Sequence, residues 1–188
     1  MKYKLIYLDP PWQYRDKANA GQRGACHKYP VMTLADIKAL PIRSIAEDDC
    51  LLAMWWVPPM PAEALAVISA WDFTLKTMCG FTWHKLTKHG KDAFGMGNWT
   101  RANAENCLFA THGKPKRVCA GVRQIITAKV GKHSEKPPEA RDRLVKLMGD
   151  VKRVELFARV STSGWDVWGN QVDSTINLPG QNLVKIPY

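Results

Sequence analysis

Short, continuous apolar runs alternate along the chain with polar stretches broken by proline and glycine. Leu5-Ile6-Tyr7-Leu8 is apolar at every position, which predicts a strand buried on both faces of a parallel sheet rather than one half-exposed to water. Cys50-Leu-Leu-Ala-Met-Trp-Trp-Val57 repeats the pattern and stops at Pro58-Pro59, as the first run stops at Asp9-Pro10-Pro11. Between and after these runs the period changes. Thr33 predicts the cap of a short helix to about Leu40, ended by Pro41, and Pro61 to Trp71 reads as a helix with Leu65, Ile68 and Trp71 facing inward. Phe73 to Trp83 and Glu105 to Thr111 supply further strands. Ser134 to Glu139 opens a helix whose prolines sit in the first turn, where a missing N–H costs little, and which runs to about Met148 and stops at Gly149. Val151 to Phe157 is a further strand. This strand, helix, strand order predicts an α/β sandwich with a mainly parallel sheet.

The polar stretches matter as much. Residues 13–25 form a long Gly-containing loop that leaves directly from Trp12, and Lys85 to Asn103 forms a second; long loops inside compact domains are usually lids or binding loops. Gly95-Met96-Gly97 is not a dinucleotide-binding fingerprint, because position 100 is Thr and no strand-to-helix turn surrounds it. Trp55 and Trp56 lie in an apolar run and read as core, as do Trp165 and Trp168.

Charge adds a partner. A net charge of +10 with pI near 9.5 suits a polyanion, nucleic acid first, with an anionic membrane surface as the other fit. Twelve Lys/Arg against four Asp/Glu fall between His112 and Arg153. The segment from Lys114 through Lys116 and Arg117 to Arg123 is irregular and Pro/Gly-broken, and reads either as a solvated face or as a basic arm that tracks phosphates. At 188 residues the expectation is one domain over 1–188. No charged-then-apolar leader opens the chain and no apolar run nears the roughly 18 residues of a membrane span, so the expected place is the cytoplasm and no membrane partner is expected. Five cysteines at wide spacing argue against a disulfide framework, and neither they nor the five histidines show a metal-binding spacing. No metal is expected.

The chemistry concentrates at Asp9. Placed after a parallel strand, it sits where open α/β sheets bind ligands. Pro10 and Pro11 fix two φ angles and remove two donors, leaving carbonyls that only accept. A carboxylate beside such carbonyls suits an exocyclic amino group on a nucleobase, a poor nucleophile whose N–H bonds must be polarised, and Trp12 offers a ring on which that base can stack. Equally, Asp9 caps a loop and the prolines make a rigid turn; the tetrapeptide alone leaves both readings open.

Asp9-Pro10-Pro11-Trp12 resembles the catalytic tetrad of amino-group methyltransferases that act on adenine N6, and its Trp variant is similar to the mRNA adenosine methyltransferase-like family, which also has bacterial and phage members. Tyr29-Pro30-Val31-Met32-Thr33, Trp83-His84-Lys85, the segment Gly95 to Arg101 followed by Glu105, Lys136-Pro137-Pro138-Glu139, Glu155 to Arg159 and Gly164 to Gln171 resemble further elements of that family in the same order. The resemblance implies a Rossmann-like methyltransferase sandwich in permuted order, with the catalytic tetrad first and the wall of the cofactor, S-adenosylmethionine, last. It places Lys136 at the methionyl carboxylate, which Asp9 also approaches through the methionyl amine. Phe157 is placed beside the cofactor adenine, and Arg159, Asn170 and Gln171 at its ribose. Tyr29 either closes over the substrate base or merely leads into the next helix, and Lys85, Trp99 and Arg101 either shape the substrate groove or pack a loop. Only eight residues precede Asp9, so the adenine rim is sought elsewhere, around Gln124-Ile125-Ile126. Residues 160–163, Val-Ser-Thr-Ser, also depart from the family pattern.

The expectation is a transferase moving a methyl group to adenine N6 in DNA with weak or short sequence preference, as a monomer or homodimer. The alternatives are RNA adenine, cytosine N4 or a glutamine amide as acceptor, and a non-catalytic nucleic-acid-binding subunit.

Overall fold

The computed structural model describes residues 1–13, 15–16, 23–24, 31–95, 99–131 and 135–180. Strand β1 (Tyr3–Leu8) lies inside a seven-stranded sheet, between β4 (Ala46–Trp56) and β8 (Arg153–Leu156), and is parallel to both. The full order is β7-β5-β6-β4-β1-β8-β9, with β5 (Thr74–Leu86), β6 (Ala104–His112), β7 (Ile125–Lys129) and β9 (Asp166–Trp168). Only β6 runs against its neighbours, so the sheet is mainly parallel, as its unbroken apolar runs predict. Two further strands of two residues each, β2 (Arg15–Asp16) and β3 (Arg23–Gly24), pair antiparallel apart from it.

Both faces are covered. Ile6, Leu8, Leu52 and Met54 point into a core shared with α1 (Leu34–Ala39), α2 (Ile42–Ile45) and α3 (Pro61–Ala70). Their strand neighbours Leu5, Tyr7, Leu51, Ala53 and Trp55 point the other way, against α4 (Glu139–Met148). Every residue from Leu5 to Leu8 is therefore buried, and the period-two rule holds with no polar face to reveal it.

Local signals account for the helix ends. The Thr33 hydroxyl accepts from the Asp36 N–H at 3.1 Å and caps α1. Pro61 occupies the first turn of α3, and Gly149 ends α4 at φ +78°, a left-handed value that costs glycine nothing. In α3 the buried residues are Ala64, Val67, Ile68 and Trp71, whereas Leu65 is exposed, which corrects the expected inward set. The i, i+3, i+4, i+7 stripe from Ala64 excludes Leu65, and hydrophobicity alone chose the larger side chain over the right phase. β7 was not foreseen as a strand: Ile125 is exposed and only five residues extend at the sheet's edge.

Because β6 alone is reversed, the carboxyl ends of the six parallel strands and the start of β6 share one edge. Asp9, Phe157, Gly169 and Glu105 come together there.

Candidate active site

The turn after β1 is built by its prolines. The Trp12 N–H donates to the Pro10 carbonyl at 2.8 Å, closing a three-residue turn around Pro11 that its fixed φ suits. The Met32 N–H then donates to the Pro11 carbonyl at 3.0 Å. The indole N–H of Trp12 donates to the Trp55 carbonyl at 3.1 Å, and Trp12 is only 4% exposed. This corrects the expectation of an open stacking ring: the side chain anchors the turn in the core. Asp9 stands at the start of this anchored turn. The Pro10 carbonyl keeps a second lone pair beyond the one its turn uses.

Asp9 belongs to a chain of alternating charges. Lys136 Nζ donates to Asp9 Oδ2 at 2.7 Å and lies 3.1 Å from Glu105 Oε2, while Lys85 Nζ lies 3.1 Å from Glu105 Oε1. The Lys136 ammonium also sits over the Trp55 ring, 5.6 Å from its centre. Burial raises the Asp9 carboxyl above the usual range, with Lys136 pulling against it and Glu105 adding to the rise. At Glu105 burial again favours the neutral form, yet Lys136 and Lys85 together outweigh it and hold the carboxyl below the ordinary value. Burial alone would depress Lys136, but Asp9 and Glu105 overcome that and raise it, so the ammonium is firmly charged. The cluster thus presents a proton-seeking carboxylate, a fixed cation and a carboxylate locked in its anionic form.

Beneath it lies a second buried polar layer. Trp55 Nε1 donates to the Tyr7 hydroxyl at 2.7 Å, and Arg141 binds both oxygens of Glu155 at 3.0 and 3.1 Å. Burial pushes Glu155 up to about 7 even against that guanidinium.

The neighbouring wall follows β8. Phe157 has φ +59°, a left-handed value uncommon in a bulky residue, and packs edge-on against Trp168 with ring centres 5.4 Å apart. The Ala158 N–H donates to the Trp168 carbonyl at 3.0 Å, and any side chain at Gly169 would run into the Ala158 backbone. Strain in Phe157 and a bare Gly169 together bring the two strand ends into contact, and Asn170 and Gln171 follow at once. Arg159 is half-buried and its charge reaches Asp9. These residues fit the expected cofactor: a buried ammonium for a carboxylate, an aromatic ring, and amide side chains at the strand end. Gln124 to Ile126 does not form a rim here. β7 is the edge strand at the far side of the sheet from β8 and β9, so that expectation is corrected.

Trp165 and Trp168 are buried, as read; so is Trp55, while Trp56 is half-buried and donates its indole N–H to the Met78 carbonyl at 2.8 Å. Tyr29 and most of the loop over 13–25 lie outside the described residues. Trp99 and Arg101 sit on the loop between β5 and β6, both exposed, and Lys85 is part of the ion cluster rather than a free groove residue. Lys114, Lys116 and Arg117 are exposed but misplaced for the expected role. β6 is antiparallel, so they follow its end at the opposite edge, where the Lys114 N–H donates to Asp49 at 2.7 Å. About nine residues of strand, roughly 30 Å, separate them from Glu105.

Sequence reading passed over Glu105 except as the end of a motif. Its signal was present: an acid at the head of an apolar strand mirrors Asp9 at the tail of one, and a reversed strand brings the two together.

The same chain matches the MT-A70 family over residues 3–171. The chain belongs to the MT-A70 family. It is 34% identical over 202 aligned residues to the Type II methyltransferase M.MunI of Mycoplasma sp, covering 97% of this chain and 84% of that protein. Similarity extends to the N6-methyladenosine RNA methyltransferase MTA1 of Pyricularia oryzae, 29% identical over 90% of this chain and 47% of that one. It also reaches the human N(6)-adenine-specific methyltransferase METTL4, 23% identical over 90% and 37%. The chain thus spans most of the bacterial methyltransferase and half or less of the other two. As an MT-A70 protein it is an adenine-N6 methyltransferase dependent on S-adenosylmethionine, and the permuted Rossmann-like sheet is the fold that carries this chemistry. Among the described residues no cluster of His, Cys, Asp and Glu suits a metal ion, and no helix is long and apolar enough to cross a membrane.

Proposed function

We propose that the acceptor is the N6 amino group of adenine in DNA and that the buried cluster around Asp9 performs the transfer. The observation that carries the assignment is the Asp9–Lys136–Glu105–Lys85 ion chain at the carboxyl edge of the sheet; DNA is chosen because the similarity to the Type II methyltransferase M.MunI takes in 97% of this chain and 84% of that protein.

S-adenosylmethionine, when bound, supplies the methyl group. Lys136 would hold its carboxylate, Phe157 its adenine, and Arg159, Asn170 and Gln171 its ribose. Asp9 and the Pro10 carbonyl each accept one N–H of the adenine amine, which frees the nitrogen lone pair from the ring. After transfer the nitrogen carries one proton too many. Asp9 takes it, and a carboxyl whose proton affinity is raised by burial suits that task. Arg101 steadies the substrate strand from the neighbouring loop, while Lys85 holds Glu105 in place. Weak or short sequence preference, a monomeric or homodimeric state and a cytoplasmic setting complete the proposal.

The test is mass spectrometry of nucleosides from defined DNA and RNA incubated with the protein and labelled cofactor. N6-methyladenine in DNA is the expected product. Methylation confined to RNA would move the substrate to the class named for MTA1, and a modified cytosine or protein amide would overturn the acceptor. Sequencing that maps the marks checks the preference: a single motif of four or more fixed bases would overturn it.

A further inference from the structure

The loop between β5 and β6 carries two large aromatic residues in the open. Trp99 is 99% exposed and Phe94 66%. A globular chain normally buries such rings, and this one buries the others of its kind in quantity, Trp12, Trp55, Trp71, Trp83, Trp165 and Trp168 included. The loop is nonetheless tied down. The Ala93 N–H donates to the Lys85 carbonyl at 2.9 Å, the Lys85 N–H to the Asn103 carbonyl at 2.9 Å, and the Gly95 N–H to the Ala102 carbonyl at 2.7 Å. Its described residues, 87–95 and 99–103, make an arm at the carboxyl edge of the sheet, and its two stems are the residues that enter the ion cluster: Lys85 on one side and, two residues past Asn103, Glu105 on the other.

We infer that this arm is a wedge that enters a nucleic-acid duplex beside the target adenine, with Trp99 stacking in the space the flipped base leaves. The inference rests on the nucleic-acid reading given above. Three observations choose this occupant. The arm is cationic: Lys88, Lys91 and Arg101 are exposed along it, and its lone acid among described residues, Asp92, faces His84 at 2.8 Å. A second protein is a poor fit, because two aromatic side chains offer about 300–500 Å², well short of the roughly 800 Å² per partner of a stable interface. A base needs only one ring face. Position completes the case, since the arm springs from the edge where Asp9 waits and a base inside a duplex cannot reach Asp9 without leaving the stack.

A wedge has a signature that a general binding residue lacks. Its removal harms substrates that must be opened and spares those already open. The experiment compares Trp99→Ala with the unaltered protein on three adenine-containing DNAs of one sequence: a perfect duplex, the same duplex with an abasic site opposite the adenine, and the single strand. Trp99→Ala is expected to lower methylation of the perfect duplex by about tenfold or more and to leave the other two within about threefold. A duplex carrying 2-aminopurine at the target should brighten with the unaltered protein and stay dim with Trp99→Ala, and Trp99→Phe should restore much of both readouts. Equal loss on all three DNAs would overturn the wedge, as would no loss on any. If the unaltered protein methylates none of them, it is the DNA reading that fails.

Discussion

The two edges of one sheet handle charge in opposite ways. At the carboxyl edge Asp9, Lys136, Glu105 and Lys85 are packed into a continuous chain, with the Lys136 side chain only 11% exposed. At the amino edge Arg153 pairs with Asp150 and Arg43 with Asp48, acids that are 94% and 90% exposed. Exposed pairs of that sort contribute a median of about 0–1 kcal/mol. Buried ones cost desolvation that their mutual attraction repays only with good geometry. A fold gains little by burying four charges together, so their placement at one edge is explained by chemistry rather than stability. The lesson is that net charge along a sequence does not locate function; the edge to which topology delivers it does.

The largest expected effect lies in Asp9→Ala. Methyl transfer should fall by on the order of 10²-fold or more, in line with the removal of one preorganised polar group from a reacting centre. The variant should still fold, since Lys136 keeps Glu105 as its partner, and circular dichroism checks that. Activity within a few-fold of the unaltered protein would dissolve the contrast between the edges.

Next come Lys136→Ala and Asn170→Ala, read by calorimetric titration with the cofactor. A hydrogen bond to a charged group contributes roughly 1.5–3 kcal/mol, so Lys136→Ala should weaken binding by about ten- to a hundredfold and Asn170→Ala by somewhat less. Unchanged affinity in both would remove the cofactor wall from this edge.

Glu105→Gln sharpens the comparison through pH. Asp9 must be ionised to accept from the amine, and its carboxyl is raised, so activity should fail on acidification at a pH above that of an ordinary aspartate. Glu105 contributes to that rise through its negative charge. Removing the charge lowers the Asp9 value, and the acid limb of the activity profile should shift toward lower pH, with a loss of several-fold at the optimum because Lys136 has lost one of its two anchors. An unshifted limb would mean that Glu105 does not act on Asp9.

How much of this was legible in the chain follows the same division. Local chemistry was: the all-apolar β1, the proline stop, the Thr33 cap and the Gly149 end each depend on a few adjacent residues. The turn from Asp9 to Trp12 at the end of β1 was legible for the same reason, together with the lysine before α4. What depended on the direction of one strand was not. β6 looks like any other apolar run, and its reversal both delivers Glu105 to Asp9 and carries Lys114, Lys116 and Arg117 away from it. Trp12 misled for a related reason. Its neighbours suggested a substrate platform, whereas burial by Trp55, over forty residues away, turned it into an anchor.

The smallest expected effect belongs to the amino edge. Lys114, Lys116 and Arg117 are exposed, and Lys114 and Gly113 sit against Asp48 and Asp49, so the field where they begin is mixed in sign and about 30 Å of strand separates it from the reacting centre. Replacing all three with Ala should change methyl transfer to a short oligonucleotide by less than about twofold. On long DNA, where phosphates far from the target can reach this edge, affinity should fall modestly and equally for all sequences, and the salt dependence should flatten by at most about three phosphate contacts. Replacing Lys88, Lys91 and Arg101 instead should cost more on the short substrate, because those cations sit on the arm beside the site. The two triple variants, measured side by side against salt on a short duplex, therefore rank the edges directly. A larger loss from the Lys114 set would place the nucleic acid across the whole sheet and overturn the division drawn between its ends.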